Sequence, residues 1–549
     1  MQNTVLQLDP SDNVLIALRD LRVGERLPFS GREHVLVSDV PAKQKFVTEN
    51  VPVGGKVVMY GVLVGKAAQP IRAGEIVTTR NTRHDSAEFH ESSLAYQWRK
   101  PDTSRWATKT FLGYQRPDGQ VGTRNYWLVV PLVFCENRNI EVMKQAFEEE
   151  LGFARPKIYR QQVADLVQRY RSGNLRALER HASAPNAAKS THSKVFENID
   201  GVKFLIHQGG CGGTREDTNN LCGLLAGYIH HPNVAGATVL SLGCQHSQTA
   251  ILREEILKRD ADFTKPLVVF EQQRSGSEFE MLTDAIEATF LGLVEADKCA
   301  RTPAPLSALC VALQCGGSDG FSGISANPAI GHVSDIVAAL KGRTILSEFP
   351  ELCGVEQELI NRSVSPEVGG RFMQLMREYA ARAKAVRSGF DMNPSPGNIR
   401  DGLITDAMKS AGAARKGGTS PVTAVLDYPE YCVRPGLNLQ CTPGNDVESV
   451  TAQVGAGANV VLFTSGLGTP TGNPIAPVIK ISTNSDLARR MADIIDIDAG
   501  PVVSGDKTIE QMGEAILEHV IEVAGGEDRT KAEMLNQDDF IPWKRGVSL

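Results

Sequence analysis

A chain of 549 residues, 42% apolar and 22% charged, is too long for one core and ordinary enough in composition to fold throughout, so two or three domains are expected. A net charge of -6 and a sequence pI of about 6.1 give no pull toward phosphate backbones or anionic lipid, which argues against nucleic acid and membrane as partners. No basic region followed by an apolar core opens the chain, and the apolar run at 126–134 is too short to span a bilayer, so a cytoplasmic protein is expected.

From residue 12 to about 82, short β-rich runs at 14–18, 56–60 and 75–77 alternate with glycine turns, predicting a small all-β module over residues 1–84. Its turns around Gly24, Gly54 and Gly74 resemble one another, each placing glycine where a tight turn needs positive φ. Residues 85–110 are polar and aperiodic, with His90, Trp98 and Trp106, and read as a linker laid on a surface. Beyond them, continuous apolar runs alternate with amphipathic helices, the pattern of an α/β multidomain protein built on mainly parallel sheets. Strands are predicted at 126–134, 202–206, 237–242, 308–313 and 459–463, and a helix at 140–147. The charged segment 153–200 reads as a solvated helical arm or as an insertion covering a site. The α/β part divides into residues 111–300 and 301–549.

Ten cysteines spread over this length do not form a disulfide framework, and in a reducing compartment they are free or metal-bound. Four share one context: Cys135, Cys211, Cys244 and Cys315 each stand just past a predicted strand, three of them beside glycine. In a parallel sheet the carboxyl ends of strands lie on one edge, where ligands gather, so thiolates remote in sequence can converge there. Small buried hydrophobes are the other reading. Thiolates select zinc, iron or an iron-sulfur cluster, and no Cys-x-x-Cys spacing supports a structural zinc knuckle.

The loop at 314–328 is rich in glycine and carries Ser318, Asp319, Ser322 and Asn327. Its glycines allow close backbone approach to a ligand. Loops at 393–398, 442–446 and 465–474 repeat that chemistry with Ser395 and Asn398, Asn445, and Thr469. Hydroxyl and amide groups of this kind suit a hydroxyl-rich small molecule, although each loop taken singly also reads as a turn. The glycine pattern at 61–67 is one residue short of a phosphate loop, which disfavours nucleotides.

These segments, together with 118–125, 207–211, 242–244 and 466–472 in this order, resemble the altronate/galactarate dehydratase family from about residue 12 to 549. The resemblance implies an N-terminal β-clip (SAF) domain, a second domain that mediates dimerisation and so a homodimer, and a C-terminal domain with a Rossmann-like sheet and a metal site. It also implies dependence on ferrous iron. Within the family the chain looks more like the long altronate enzymes, with galactarate or another aldarate or aldonate as the alternative substrate. Gln44 stands where a histidine is common, Leu467 and Thr471 replace an Arg and a Tyr, and Gln245 follows Cys244 where shorter members carry glutamate. A non-catalytic sugar-acid binding protein and a hydrolase are the readings from other classes.

Dehydrating a 2,3-dihydroxy acid requires removal of the proton beside the carboxylate and protonation of the departing 3-hydroxyl, work for a Lewis acid and a positioned base. Iron, as a mononuclear ion or a cluster with manganese as a substitute metal, is assigned to Cys135, Cys211, Cys244 and Cys315; an oxygen-ligand site at Asp319 and Glu348 is the second arrangement. His207 is the preferred acid/base, with a backbone-bonded histidine as the other reading, and Asp319 and Glu348 are the further catalytic candidates. Arg124 and Lys480 are candidate anchors for the substrate carboxylate, and Ser318, Asn327, Ser395, Asn398, Asn445 and Thr469 for its hydroxyls.

Overall fold

The computed structural model describes residues 4–92, 96–154, 158–173 and 193–548. Its N-terminal module is antiparallel throughout: Val14–Ala17 pairs with Val5–Leu6 and Lys45–Val47, Arg26–Phe29 with Arg32–Val35, and Val62–Ala67 with Lys56–Met59 and Thr82–Arg83. The run at 75–77 forms only an isolated bridge, Ile76 to Phe46. Gly74, at φ 79°, has no room for a side chain, because a Cβ there would lie 2.1 Å from Val35 O. Val14–Ala17 is buried on both faces. Leu15 and Ala17 fill the module's own core, while Val14 and Ile16 join the large core that contains Phe321, Leu346 and Leu437. Strand alternation thus docks the module onto the rest of the chain.

The segment after the module runs over the C-terminal part, with Tyr96 Oη donating to Thr419 O (2.7 Å) and Trp98 Nε1 to Thr419 Oγ1 (3.2 Å). Trp106 departs from the surface reading: it is 1% exposed and lies in the large core. Thr110–Gln115 then pairs antiparallel with Val121–Gly122 and Thr302–Pro305.

Two parallel sheets follow. The first has strands β1 (Tyr126–Pro131), β2 (Gly201–Phe204), β3 (Val234–Ser241) and β4 (Leu267–Glu271) in the order β2-β1-β3-β4. β1 is buried at every residue, which explains its unbroken apolar sequence. It ends earlier than its apolar run because the chain bends after Pro131, so that Phe134 N reaches Gly209 O at 3.1 Å. The second sheet has seven strands: β5 (Cys310–Cys315), β6 (Arg343–Leu346), β7 (Val422–Leu426), β8 (Gly436–Gln440), β9 (Val460–Ser465), β10 (Val478–Ser482) and β11 (Ile497–Asp498). Their order is β7-β8-β6-β5-β9-β10-β11, all parallel. The chain leaves β5 toward one side and later builds outward from β9 on the other, so the strand order reverses between β5 and β9. Open α/β sheets take ligands at the carboxyl ends of such a pair.

One core cluster includes residues of both sheets, Leu128 and Val239 with Ala312, Val461 and Phe463. Helices α1 (Arg215–His230) and α2 (Asp446–Gly455) lie between them and approach so closely that a Cβ on Gly227 would fall 2.0 Å from Gly455 O. The helix Ile158–Arg171 buries none of its residues; the predicted arm continues through 174–192, outside the described residues. Among the described residues no helix is long and apolar enough to cross a membrane.

Candidate functional site

Three of the four strand-end cysteines share an edge. Cys135, Cys211 and Cys244 follow β1, β2 and β3, three adjacent parallel strands, and all three are exposed. Their loops are tied together: Phe134 N donates to Gly209 O (3.1 Å), His246 N and Ser247 N to Gly210 O (3.0 and 3.2 Å), and Ser247 Oγ to Leu132 O. Gly210 sits at φ 100° with no space for a Cβ, which would be 2.2 Å from Leu132 O. Gln245, at 2% exposure, fixes the Cys244 turn by accepting from Gly243 N (2.6 Å) and donating to Ser241 Oγ (2.7 Å). Among the described residues the three thiols are not one of the groups whose ligand atoms lie within 4.8 Å of one another. Tetrahedral thiolate ligation at 2.3 Å brings sulfurs to ~3.8 Å, so the spacing is wider than one ion requires.

His207 belongs to this edge in a different role from the predicted one. Its Nε2 donates to Pro131 O (2.8 Å) and its Nδ1 accepts from Gly209 N (3.1 Å). Burial lowers its pKa to about 4, leaving it neutral with both nitrogens committed to backbone. It clasps the Cys211 loop to β1 and has no free nitrogen for proton transfer.

Cys315 lies apart from the other three, in the second sheet and fully buried, because β5 and β1 belong to different sheets. It enters a cluster of charged side chains: Lys416 Nζ lies 2.9 Å from Cys315 Sγ and 2.6 Å from Glu348 Oε2, and Glu351 Oε2 lies 3.4 Å from the same sulfur. Lys409 Nζ donates to Glu351 Oε1 (2.6 Å) and Asn393 Oδ1 (2.8 Å), and Gln314 Nε2 to Glu348 Oε1 (2.6 Å). Asp446 closes the cluster across Gly316, where a Cβ would be 2.3 Å from its Oδ2. Burial, then the neighbouring Glu351, pushes Glu348 up to about 7; burial, then Glu351, pushes Asp446 up to about 6. Burial also raises the Cys315 thiol, against the pull of Lys416. For Lys416 burial opposes the charge, but Cys315, Glu348 and Glu351 outweigh it and hold the ammonium protonated. Glu348 adopts a left-handed backbone, φ 65°, ψ 59°, which costs a non-glycine residue about 1–3 kcal/mol. The surrounding fold holds it there, with Glu348 N donating to Thr442 Oγ1 at 2.9 Å.

Asp319, beside this cluster on the same loop, is fully buried and accepts from Ser322 Oγ, Thr483 Oγ1 and Phe321 N, while Lys43 of the N-terminal module reaches it at 3.0 Å. Lys43 also meets Asp401 (3.1 Å), Gln44 Nε2 donates to Arg400 O (2.9 Å), and buried Lys45 donates to Gly402 O (2.7 Å). Burial brings Lys45 down to about 7. The N-terminal module therefore contributes two lysines to the carboxyl edge of the seven-stranded sheet.

The predicted substrate ligands divide. Ser318 is buried with a hydroxyl that has no hydrogen-bond partner, while its carbonyl accepts from Asn398 Nδ2 (2.7 Å). Ser395 and Asn398 form a capping box on the helix Pro396–Arg400, Asn445 caps α2, and Asn327 is held between Thr464 Oγ1 (2.6 Å) and Gly412 O (3.0 Å). These groups shape loops. Thr469 pairs with Thr471 (3.0 Å). Arg124 is not a substrate anchor: it is buried, paired with Glu533 (2.7 Å), and donates to Thr123 O and Val523 O. Lys480, also buried, donates to Gln537 Oε1 (2.7 Å). Sequence patterns do not single out Lys409, Lys416, Glu351, Asp446, Lys43 or Lys45; the one signal among them is Lys409, the only charged residue in the small and apolar run 407–414.

A cavity of about 410 Å3 adjoins the cysteine edge, lined by His207, Gly210, Cys211 and Asp217 and, from the C-terminal tail, Trp543 and Lys544. Trp543 packs edge-on against Tyr379 (5.4 Å between rings), which packs on Phe390 (5.5 Å), three residues before Asn393, whose Nδ2 lies 3.3 Å from Glu351 Oε1.

Known proteins match along this whole architecture. Residues 3–85 match the altronate/galactarate dehydratase SAF domain, 113–297 the second domain of D-galactarate dehydratase/altronate hydrolase, and 306–548 the C-terminal domain of D-galactarate/altronate dehydratase. The chain belongs to the altronate/galactarate dehydratase family. It is 33% identical to the altronate dehydratase of Bacillus subtilis (strain 168) and 32% to that of Escherichia coli (strain K12), each over 548 residues and 99% of both chains. To the galactarate dehydratase (L-threo-forming) of Escherichia coli (strain K12) it is 29% identical over 537 residues, 96% of this chain and 93% of that one. Family membership makes the chain a dehydratase, and among the described residues the buried acid-base cluster and the three-thiol edge carry groups of the kind that chemistry uses.

Proposed function

We propose that the protein is a hydro-lyase converting D-altronate to 2-keto-3-deoxy-D-gluconate, with iron held at the cysteine edge. The observation that carries the substrate assignment is the full-length likeness, 33% and 32% to two altronate dehydratases against 29% to a galactarate dehydratase. Galactarate is the second substrate to test.

Cys135, Cys211 and Cys244 offer three exposed soft donors on loops bonded to one another, a set that suits iron. Their spacing favours a polynuclear iron-sulfur group over a single ion, and three protein thiolates leave a position for substrate. When bound, such a group supplies a Lewis acid for an oxygen of the substrate. The remaining work falls to the chain's own side chains. Glu348, poised near neutrality, takes the proton beside the substrate carboxylate. Lys409 and Lys416 offset the negative charge that develops on the enediolate, Asp446 returns a proton to the departing 3-hydroxyl, and the unpartnered Ser318 hydroxyl binds a hydroxyl of the sugar acid.

The test is anaerobic purification with iron, followed by assay on altronate and galactarate with mass analysis of product. Loss of one water from altronate, with iron content abolished in C135S, C211S and C244S but kept in C315S, is the expected result. Turnover of neither acid by iron-loaded protein overturns the substrate reading, and iron retained after loss of all three thiols overturns the metal site.

A further inference from the structure

A second constellation lies away from both edges. His84 follows the last strand of the N-terminal module, Cys353 the turn Phe349–Leu352, and Asp406 opens the helix α3 (Asp406–Ala414). One ligand atom from each lies within 4.8 Å of the others, although the residues come from three remote parts of the chain. Close approach is built in: Gly354, at φ 92°, places its backbone so that a Cβ would lie 3.0 Å from Ala407 Cβ and 3.3 Å from Ser86 Cβ.

Asp406 is the independent sign of a ligand. It is 1% exposed, and apart from the Cys353 thiol, itself one of the three candidate ligands, neither carboxylate oxygen has a hydrogen-bond partner. A carboxyl buried in this way either keeps its proton, as burial favours here, or gives it up to a cation that compensates the charge, and the imidazole and thiol beside it supply the other ligands for such a cation. The nearest ammonium, on Lys409 one turn along the same helix, is spent on Glu351 and Asn393. Imidazole, thiolate and carboxylate together select a borderline divalent ion, zinc first, with the fourth position left for water. His84 and Cys353 are part-exposed, which gives the ion a way in.

We propose that His84, Cys353 and Asp406 form a mononuclear zinc-type site that pins the N-terminal module to the helix bearing Lys409. The site is separate from the iron-binding cysteines and has a positioning role: it fixes the start of α3, and with it the ammonium that pairs with Glu351. Thr405, the residue capping that helix, already donates to Val64 O of the module (2.5 Å), so the clasp would reinforce an existing seam.

The experiment uses the full chain, stripped with chelator and reloaded with Zn2+ or Co2+. In the triple Cys135→Ser, Cys211→Ser, Cys244→Ser chain, which removes the exposed thiol edge, about one ion per chain is expected, with thiolate-to-cobalt charge-transfer absorption that disappears when Cys353→Ser is added. His84→Gln, at a part-exposed position, should weaken zinc binding by roughly 100-fold or more, beyond the cost of losing an outer hydrogen bond to a ligand. X-ray absorption on the zinc-loaded triple-serine chain, whose substitutions lie at exposed positions, should show one sulfur among nitrogen and oxygen ligands. No thiolate absorption in the triple-serine chain, absorption retained there after Cys353→Ser, or a zinc shell without sulfur would each overturn the proposal.

Discussion

At the scale of single residues, the chemistry concentrates where charge is buried and paired. Glu348 and Lys416 make a 2.6 Å ion pair with side chains 0% and 1% exposed, so neither charge is compensated by water. A carboxyl raised from its ordinary 4.5 to about 7 binds its proton more tightly folded than unfolded. The contribution of Glu348 to stability is therefore greatest below the unfolded value, falls as pH rises between 4.5 and about 7, and levels off above that. Glu348→Gln should flatten this part of the urea-midpoint profile. In the active enzyme kcat/KM should rise with pH through the same ionisation, and the variant should lose that limb along with most of its activity. His207 and Arg124 teach the converse. Residue type and position made both attractive, but backbone carbonyls and Glu533 had already taken their polar atoms.

At the scale of elements, strands set the site by where they stop, and glycines set how closely elements pack. Trp127 of β1 is fully buried with Nε1 donating to Thr238 Oγ1 (3.0 Å). Its ring lies against Gly292 of the helix Glu278–Ala296, where a Cβ would fall 2.1 Å from Trp127 Cη2. Gly292→Ala should therefore cost about 1–3 kcal/mol by overpacking, despite alanine's better helix propensity, and a lowered denaturation midpoint would show it. The strand-end cysteines show what element order adds. Their shared sequence context places each at a carboxyl end, but only the pairing β2-β1-β3 makes neighbours of three and sends the fourth to another sheet.

At the scale of the whole molecule, the N-terminal module reaches the candidate site as well as the core of the fold. Val14 and Ile16 belong to the large core, and Lys43 reaches Asp319. Deleting residues 1–84 should expose that apolar face and leave Asp319 without its ammonium. The shortened chain is expected to melt at lower temperature, aggregate, and show no dehydration, by light scattering and product assay. A stable, fully active chain lacking the module would contradict this account.

The sequence by itself determined the α/β grammar, the small β module, the glycine-bearing turns and the strand-end placement of the cysteines, because these depend on local periodicity and local backbone freedom. Strands such as 237–242 and 459–463 were legible as continuous apolar runs, since parallel strands are buried on both faces. Trp106 was not, because nothing near it in sequence reveals the core it enters. Only the tertiary structure decided which cysteines stand together, which polar groups were already satisfied, and that Lys43, Lys409 and Lys416 meet carboxylates hundreds or tens of residues away. The reason is physical: a buried charge is tolerated only opposite its partner, and that partner is chosen by sheet order and domain docking, which no local pattern records.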